Sequence, residues 1–335
     1  MNMNKRKMGF FVACAVYFFG VGCCSAVAAE YVMKFAHDHM MNSPYQKSSE
    51  WIKKEIETKS GGRIAVEIYP AQQLGNNREM IEAMQMGTIE AVLVPTTKYS
   101  GFDPKMNIFD MPYLFPNEKA LWAMLEGEVG EMAKAGLPNI GIYGVQYFAE
   151  GWHFLTANKE LRHPNDMKGL KMRSMEAPIV MDTFSAWGAN PVPIDFSEVY
   201  NSLQQRVVDG HENPIISIHD MKFFEVQKYM IQIQHAYLSY FLAYSKKWYD
   251  SLPEDLQKVV WQAGLDGAQY HKGLMEEANK AYLKDIIDFG TQVIYLSDEE
   301  KQPWIDAVQP LYDKYRSMFG DDLLNLALET AAKYR

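Results

Sequence analysis

Arg173 follows Leu170-Lys171-Met172, a short segment that reads as a strand. A guanidinium at the end of a strand stands where α/β sheets present ligands, and its planar fork grips a carboxylate through two parallel hydrogen bonds. The alternative for it is a surface ion pair. Asn213 precedes Pro214, which favours an extended backbone and holds it away from the helix that stops near Gly210. Its amide can serve a ligand as donor and acceptor, or cap a turn. Glu176, three residues beyond Arg173, suits a ligand hydroxyl or ammonium, or a salt bridge back to Arg173. Phe196, directly after Asp195, either covers a bound molecule or packs into the core. These residue types bind an anion; they do not assemble a nucleophile.

Other chemistries fare worse. The sequence has no G-x-S-x-G elbow and no H-E-x-x-H helix, which weighs against a secreted hydrolase. His37-Asp38-His39 invites a metal reading, but strand alternation puts the two histidines on one side without the third ligand zinc needs. Neither a metal nor a cofactor is expected.

The elements that must position these residues alternate helix and strand. Tyr31 to Ala36 reads as a strand, and Pro44 to Lys59 as a helix capped by Ser43 and stopped at Gly61-Gly62. Ile64, Val66 and Ile68 share one face of the next strand. A helix over 77–86 ends at Gly87 and leads to the apolar strand 91–94. A second α/β unit starts with a strand over 140–148 and continues through 169–173 to a helix over 177–187. Asp195 and Glu198 pattern as a capping box for a helix reaching Val207 or Val208, and Ser251 and Glu254 as another. Beyond Glu254 no proline interrupts the chain before Gly290, and a continuous helix there would be about 55 Å long, enough to span two lobes.

At the N-terminus, Lys5, Arg6 and Lys7 precede an apolar run from Met8 to Val21 and the small residues Ser25-Ala26-Val27-Ala28-Ala29. This is the pattern of a secretory signal peptide over 1–29, its apolar run shorter than the roughly 20 residues of a membrane span. A signal anchor, or a lipoprotein modified at Cys23, are the alternatives. All three cysteines (Cys14, Cys23, Cys24) fall in that segment, so the mature chain would have no disulfide and no cysteine nucleophile. Its removal would take the formal charge from -9 to about -12. So acidic a chain argues against nucleic-acid partners, and makes any anion site a local positive spot.

Several motifs carry a resemblance: Tyr69-Pro70-Ala71-Gln72-Gln73-Leu74-Gly75, Asn165-Asp166-Met167-Lys168-Gly169-Leu170-Lys171-Met172-Arg173, Phe196-Ser197-Glu198-Val199-Tyr200, Asp209-Gly210-His211-Glu212-Asn213-Pro214 and Leu252-Pro253-Glu254-Asp255-Leu256-Gln257. In order and spacing the chain resembles the solute-binding subunits of tripartite ATP-independent periplasmic (TRAP) transporters, the DctP family. The resemblance implies a two-lobed α/β periplasmic-binding-protein fold with crossing strands and a long helix spanning both lobes. Lobe I would comprise 30–150 plus 239–282, and lobe II 151–238 plus 283–335. It further implies a periplasmic monomer, a small and a large membrane subunit as partners, and uptake driven by a sodium gradient. An extracytoplasmic sensor on the same frame is the competing reading.

The resemblance places Arg173 at the family's carboxylate-binding position and Asn213 at its solute-contacting asparagine. Asn77, Lys98 and the His37-Asp38-His39 run, with His37 as its candidate ligand contact, fall near segments of the other lobe that reach the cleft. One departure stands out. In Glu150-Gly151-Trp152-His153-Phe154-Leu155-Thr156, His153 occupies a position where many members carry a second arginine. Histidine is mostly neutral at pH 7, so His153, with Trp152 beside it, is expected to hydrogen-bond a polar group of the solute or to pack. That weakens the case for a C4-dicarboxylate. The expected solute is a monocarboxylate or a hydroxy or sugar acid, with a sulfonate as a variant.

Overall fold

A computed structural model describes residues 28–335. The signal-peptide expectation for 1–29 lies almost wholly outside the described residues. The chain runs through β1 (Tyr31–His37), α1 (Pro44–Lys59), β2 (Ile64–Tyr69), α2 (Asn77–Met86), β3 (Ala91–Pro95), α3 (Glu118–Leu125), α4 (Glu128–Lys134), β4 (Ile142–Trp152), β5 (Phe154–Ala157), β6 (Lys171–Ser174) and α5 (Pro178–Ala186). It continues with β7 (Asn190–Pro193), α6 (Val199–Gln204), β8 (Gly210–Asn213), α7 (Ile215–Asp220), β9 (Tyr229–Gln232), β10 (Tyr237–Ser245), α8 (Lys246–Ser251), α9 (Glu254–Phe289), β11 (Gln292–Tyr295), α10 (Asp298–Val308), α11 (Pro310–Phe319) and α12 (Asp321–Ala332).

Two mixed sheets organise these elements. The first has the order β2-β1-β3-β10-β4, the second β11-β9-β5-β8-β6-β7. In the first, β1 runs parallel to β2 and β3, whereas β10 is antiparallel to β3 and β4. The chain passes from the first sheet to the second where β4 gives way to β5, with His153 between them. It returns where β9 leads to β10, with His235 in the connection. These are the crossing strands.

Local chemistry accounts for the elements near the cleft. Ser43 caps α1 by accepting from the Gln46 N–H, and Pro44 occupies the first turn, where no amide donor is required. Asn76 and Glu79 form a reciprocal capping box on α2, and Gly87 ends that helix in the left-handed region at φ 77°. Every residue of β3 is buried, as a central strand covered on both faces requires.

The long helix is present: α9 has 36 residues, roughly 54 Å at 1.5 Å per residue. It packs on α1 and β4 of the first sheet's layer and on α7 beside the second. Its glycines permit the close approach. A Cβ on Gly267 would stand 2.4 Å from Ile52 Cγ1, and one on Gly264 would stand 2.7 Å from the Tyr244 hydroxyl.

Three local expectations are corrected. The capping box at Ser251 is absent: Ser251 ends α8 and donates to the Trp248 carbonyl, and α9 begins after Pro253 without a side-chain cap. Asp195 does cap, through the Ser197 N–H, but only a 3-10 turn and the short α6, which stops at Gln204 because Arg206 adopts φ 58°. Arg173 lies within β6 and not beyond its end, since the strand runs on to Ser174. The C-terminus also departs from the lobe boundaries: α12, assigned with 283–335 to lobe II, packs on α3 and α4 of lobe I.

Candidate functional site

The second sheet supplies one wall of the interlobe cleft. Arg173 is 2% exposed, and its Nε donates to the Ile194 carbonyl at 3.0 Å. Among the described residues no carboxylate pairs with it and neither Nη nitrogen has a hydrogen-bond partner. The guanidinium is therefore braced from behind while both prongs of its fork stay available. Burial lowers its pKa to about 10, opposed by nearby Asp195, Glu212, Tyr240 and Asp38, so it keeps its charge at neutral pH. Asn213, at the end of β8, hydrogen-bonds His211 Nδ1 through its Nδ2 at 3.0 Å. Burial, with Arg173 close by, depresses the His211 pKa to about 3 and keeps that ring neutral.

The first sheet and its loops supply the facing wall. Asp38 and His39 follow β1, where the carboxyl ends of parallel strands open toward ligands. Asn77 donates to Asp38 Oδ2 at 2.7 Å, and Tyr240 of β10 lies beside Asp38 and favours its ionised form. Burial raises the Asp38 pKa to about 6 against those two neighbours and the Lys98 charge. Lys98 is pushed down by burial and by Arg173 across the cleft, and is drawn back by Asp195, Asp38 and Glu176. A cleft of about 640 Å³ opens between the walls, lined on one side by Asn77, Lys98 and Asn107 and on the other by Glu176, Ile194 and Asp195; Arg173 and Asp38 are buried behind that lining, bonded to Ile194 and Asn77, and Asn213 and His39 do not line it either. That size suits a small organic molecule.

Many buried polar atoms here have no partner. They include Asp38 Oδ1, Asn77 Oδ1, Asn107 Oδ1 and Ser174 Oγ, together with both ring nitrogens of His39, which stacks on Tyr45 at 4.0 Å. Buried polar groups are rarely left unmet. Acceptors predominate among them, which calls for a guest rich in donors.

The remaining expected residues divide. Glu176 lines the cleft and is exposed, with no salt bridge to Arg173 among the described residues. Phe196 packs in a cluster with Val199, Leu203 and Phe223, and its ring stands 5.9 Å from His39 of the facing wall. His37 is directed elsewhere, since its Nε2 meets Gln46 Oε1 at 3.0 Å within the first layer. Trp152 is half-buried edge-on to Tyr237. His153 stands away from the 640 Å³ cleft: its Nδ1 lies 3.5 Å from Glu212 Oε2. Burial pushes the Glu212 carboxyl up, but His153 and His235 outweigh it and hold the group well below the usual carboxylate range.

Sequence reasoning overlooked Asp195, Asn107, His211 and Tyr240. It noticed Asp38 and His39 as part of the His37-Asp38-His39 run, an incomplete metal motif that falls near the cleft, and singled out His37 from that run. Their run after a strand in the first α/β unit was the signal that could have found them.

Comparison with known proteins agrees with this geometry. The family model for bacterial extracellular solute-binding protein, family 7 (DctP), matches residues 35–318. A C4-dicarboxylate-binding periplasmic protein DctP of Rhodobacter capsulatus is 32% identical over 301 residues, covering 89% of this chain and 90% of its own. A TRAP periplasmic solute-binding protein of Sulfurospirillum deleyianum, solved with bound succinate, superposes with a TM-score of 0.85 at 30% identity, covering 89% of this chain and 98% of its own. The sugar acid binding protein of Advenella mimigardefordensis, solved with galactonate, gives a TM-score of 0.88 at 28% identity, covering 92% and 100%. The chain therefore belongs to the DctP family, family 7 of the bacterial extracellular solute-binding proteins, the solute-binding arm of tripartite ATP-independent periplasmic transport.

Proposed function

We propose that this protein is exported to the periplasm, captures a hydroxylated monocarboxylate of the sugar-acid kind, and delivers it to a small and a large membrane subunit for sodium-coupled uptake. The observation that carries the reading is Arg173: a buried guanidinium braced at Nε, with no carboxylate of its own and both Nη groups free. A carboxylate completes that fork.

Charged hydrogen bonds contribute about 1.5 to 3 kcal/mol each, whereas micromolar affinity needs about 8 kcal/mol. The facing wall must supply the difference. Its unpartnered acceptors on Asp38, Asn77 and Asn107 fit hydroxyl donors and do not fit a second carboxylate. Lys98 offers a second cation, but Asp195, Asp38 and Glu176 surround it and offset its charge. Arg173 too has carboxylates nearby, Asp195, Glu212 and Asp38, so the preference for one carboxylate rests on its two-pronged geometry and on the histidine at 153, which faces Glu212. The galactonate complex of the Advenella relative supports a sugar acid; the succinate complex of the Sulfurospirillum relative supports the dicarboxylate alternative. No helix among the described residues is long and apolar enough to cross a membrane.

Titration calorimetry with galactonate, related aldonates and uronates, simple monoacids and succinate tests the reading. Micromolar binding of a polyhydroxylated monocarboxylate, with succinate at least about 100-fold weaker, is the expected order; tight succinate binding with no sugar-acid binding would overturn it.

A further inference from the structure

A second constellation lies where the two crossings leave the first sheet. His153 sits between β4 and β5, and His235 lies on the return from β9 to β10. Glu212, on β8 of the second sheet, stands between them, with His235 Nε2 at 2.5 Å and His153 Nδ1 at 3.5 Å from its Oε2. One ligand-type atom from each of the three lies within 4.8 Å of the others, and all three side chains are buried. The same residues line a void of about 10 Å³, which accommodates roughly one water-sized guest.

Asp110, which follows a 3-10 turn of lobe I, also lines that void. Thr97 donates to its Oδ1, and its buried Oδ2 has no partner. His153 Nδ1 lacks a hydrogen bond as well. Two unpartnered atoms, a shared carboxylate and a second imidazole thus converge on a space the size of one atom.

We propose that His153, Glu212 and His235, with Asp110 or a water as the fourth ligand, bind a single divalent transition-metal ion of the zinc class. Two neutral imidazoles and two carboxylates match the borderline character of that ion and balance its charge. Ligand atoms around tetrahedral zinc stand about 3.3 Å apart, given metal–ligand bonds of about 2.0 to 2.2 Å. The 3.5 Å separation of His153 and Glu212 already fits; the 2.5 Å separation of His235 and Glu212 opens by a swing of the carboxylate. Asp110 approaches from lobe I and Glu212 from the second sheet, so the ion would cross-link the two lobes at their hinge. The zinc ligands are distinct from the residues that line the solute cleft, although Glu212 also acts on the Arg173 charge.

The test is titration of chelator-stripped full-length mature protein with zinc chloride alone, followed by cobalt substitution. One ion per chain, an intense tetrahedral cobalt spectrum and a rise in melting temperature with zinc are expected. His235→Ala and His153→Arg should each lower zinc affinity at least about 100-fold. His153→Arg gives Glu212 a permanently charged partner in place of the imidazole, so its metal-free melting temperature should be no lower than wild type, which separates lost ligation from lost folding. Absence of binding at micromolar zinc, or binding that survives both substitutions, overturns the site.

Discussion

The two walls of the cleft solve different problems. On the second-sheet wall, one permanent charge is held in place: Arg173 is buried in β6, tied to the Ile194 carbonyl and flanked by a neutral His211 and by Asn213. The first-sheet wall carries no such anchor. It offers Asp38, His39, Asn77, Asn107 and Lys98, polar groups drawn from loops and helix ends that satisfy one another only in part. On the proposed function, one wall would recognise charge, which every organic acid has, and the other the arrangement of donors, which distinguishes one acid from another.

The largest effect should come from the anchor. Arg173→Ala removes both Nη donors and leaves a bound carboxylate buried without its partner, a loss of about 3 to 5 kcal/mol, or roughly 150- to 5,000-fold in Kd for every acid alike. Arg173→Lys should recover part of the charge but not the two-pronged geometry. Calorimetry reads both. Equal affinity of wild type and Arg173→Ala for any tight-binding acid would remove the charge-anchor role from this wall.

The facing wall predicts a smaller and selective effect. Asn77→Ala deletes an unpartnered Oδ1 and the donor to Asp38 Oδ2. Neutral hydrogen bonds contribute about 0.5 to 1.5 kcal/mol, so affinity for a polyhydroxylated acid should fall about 3- to 10-fold. A monoacid without hydroxyls should bind the variant about as weakly as it binds wild type. A uniform loss across both ligands would erase the distinction between the walls.

The same contrast explains what could be read from the sequence. Arg173 and Asn213 sit in compact motifs whose neighbours are sequential, Lys171-Met172-Arg173 and Glu212-Asn213-Pro214, so local pattern found them. The alternation of strands and helices, the Ser43 and Asn76 helix starts and the continuity of α9 were equally legible, because each depends on residues a few positions apart. The first-sheet wall is assembled from residues 38, 77, 107 and 240, whose proximity is a product of folding. No window of sequence holds them together. His153 shows the other limit: its type was informative, yet its partner Glu212 is 59 positions away, brought close by the antiparallel pairing of β5 with β8. The helix expected to reach Val207 failed for a local reason, the left-handed turn at Arg206, a residue type that gives no warning of positive φ.

The smallest effect is also the most specific to the facing wall. Asp38 has a folded pKa of about 6 against its ordinary 3.8, because burial outweighs the Asn77 bond, the nearby Tyr240 and the Lys98 charge. Between pH 4 and 6 the native state therefore keeps a proton that the unfolded chain has released, so this group's contribution to stability falls as pH rises through that window, by about 3 kcal/mol in all. Buried His37 and His271, with pKa values lowered to about 4, work in the opposite sense: their contribution is complete above pH 6.5 and is lost as pH falls toward 4. The net curve is a compromise, but binding isolates Asp38. A solute hydroxyl donating to its free Oδ1 favours the carboxylate and lowers its pKa, so closure should release about half a proton at pH 6 and almost none at pH 8. Calorimetry at pH 6 in buffers of different ionisation enthalpy measures that number, and Asp38→Asn should bring it to zero. Proton uptake, or release that persists in Asp38→Asn, would mean that the donor-reading wall does not use Asp38.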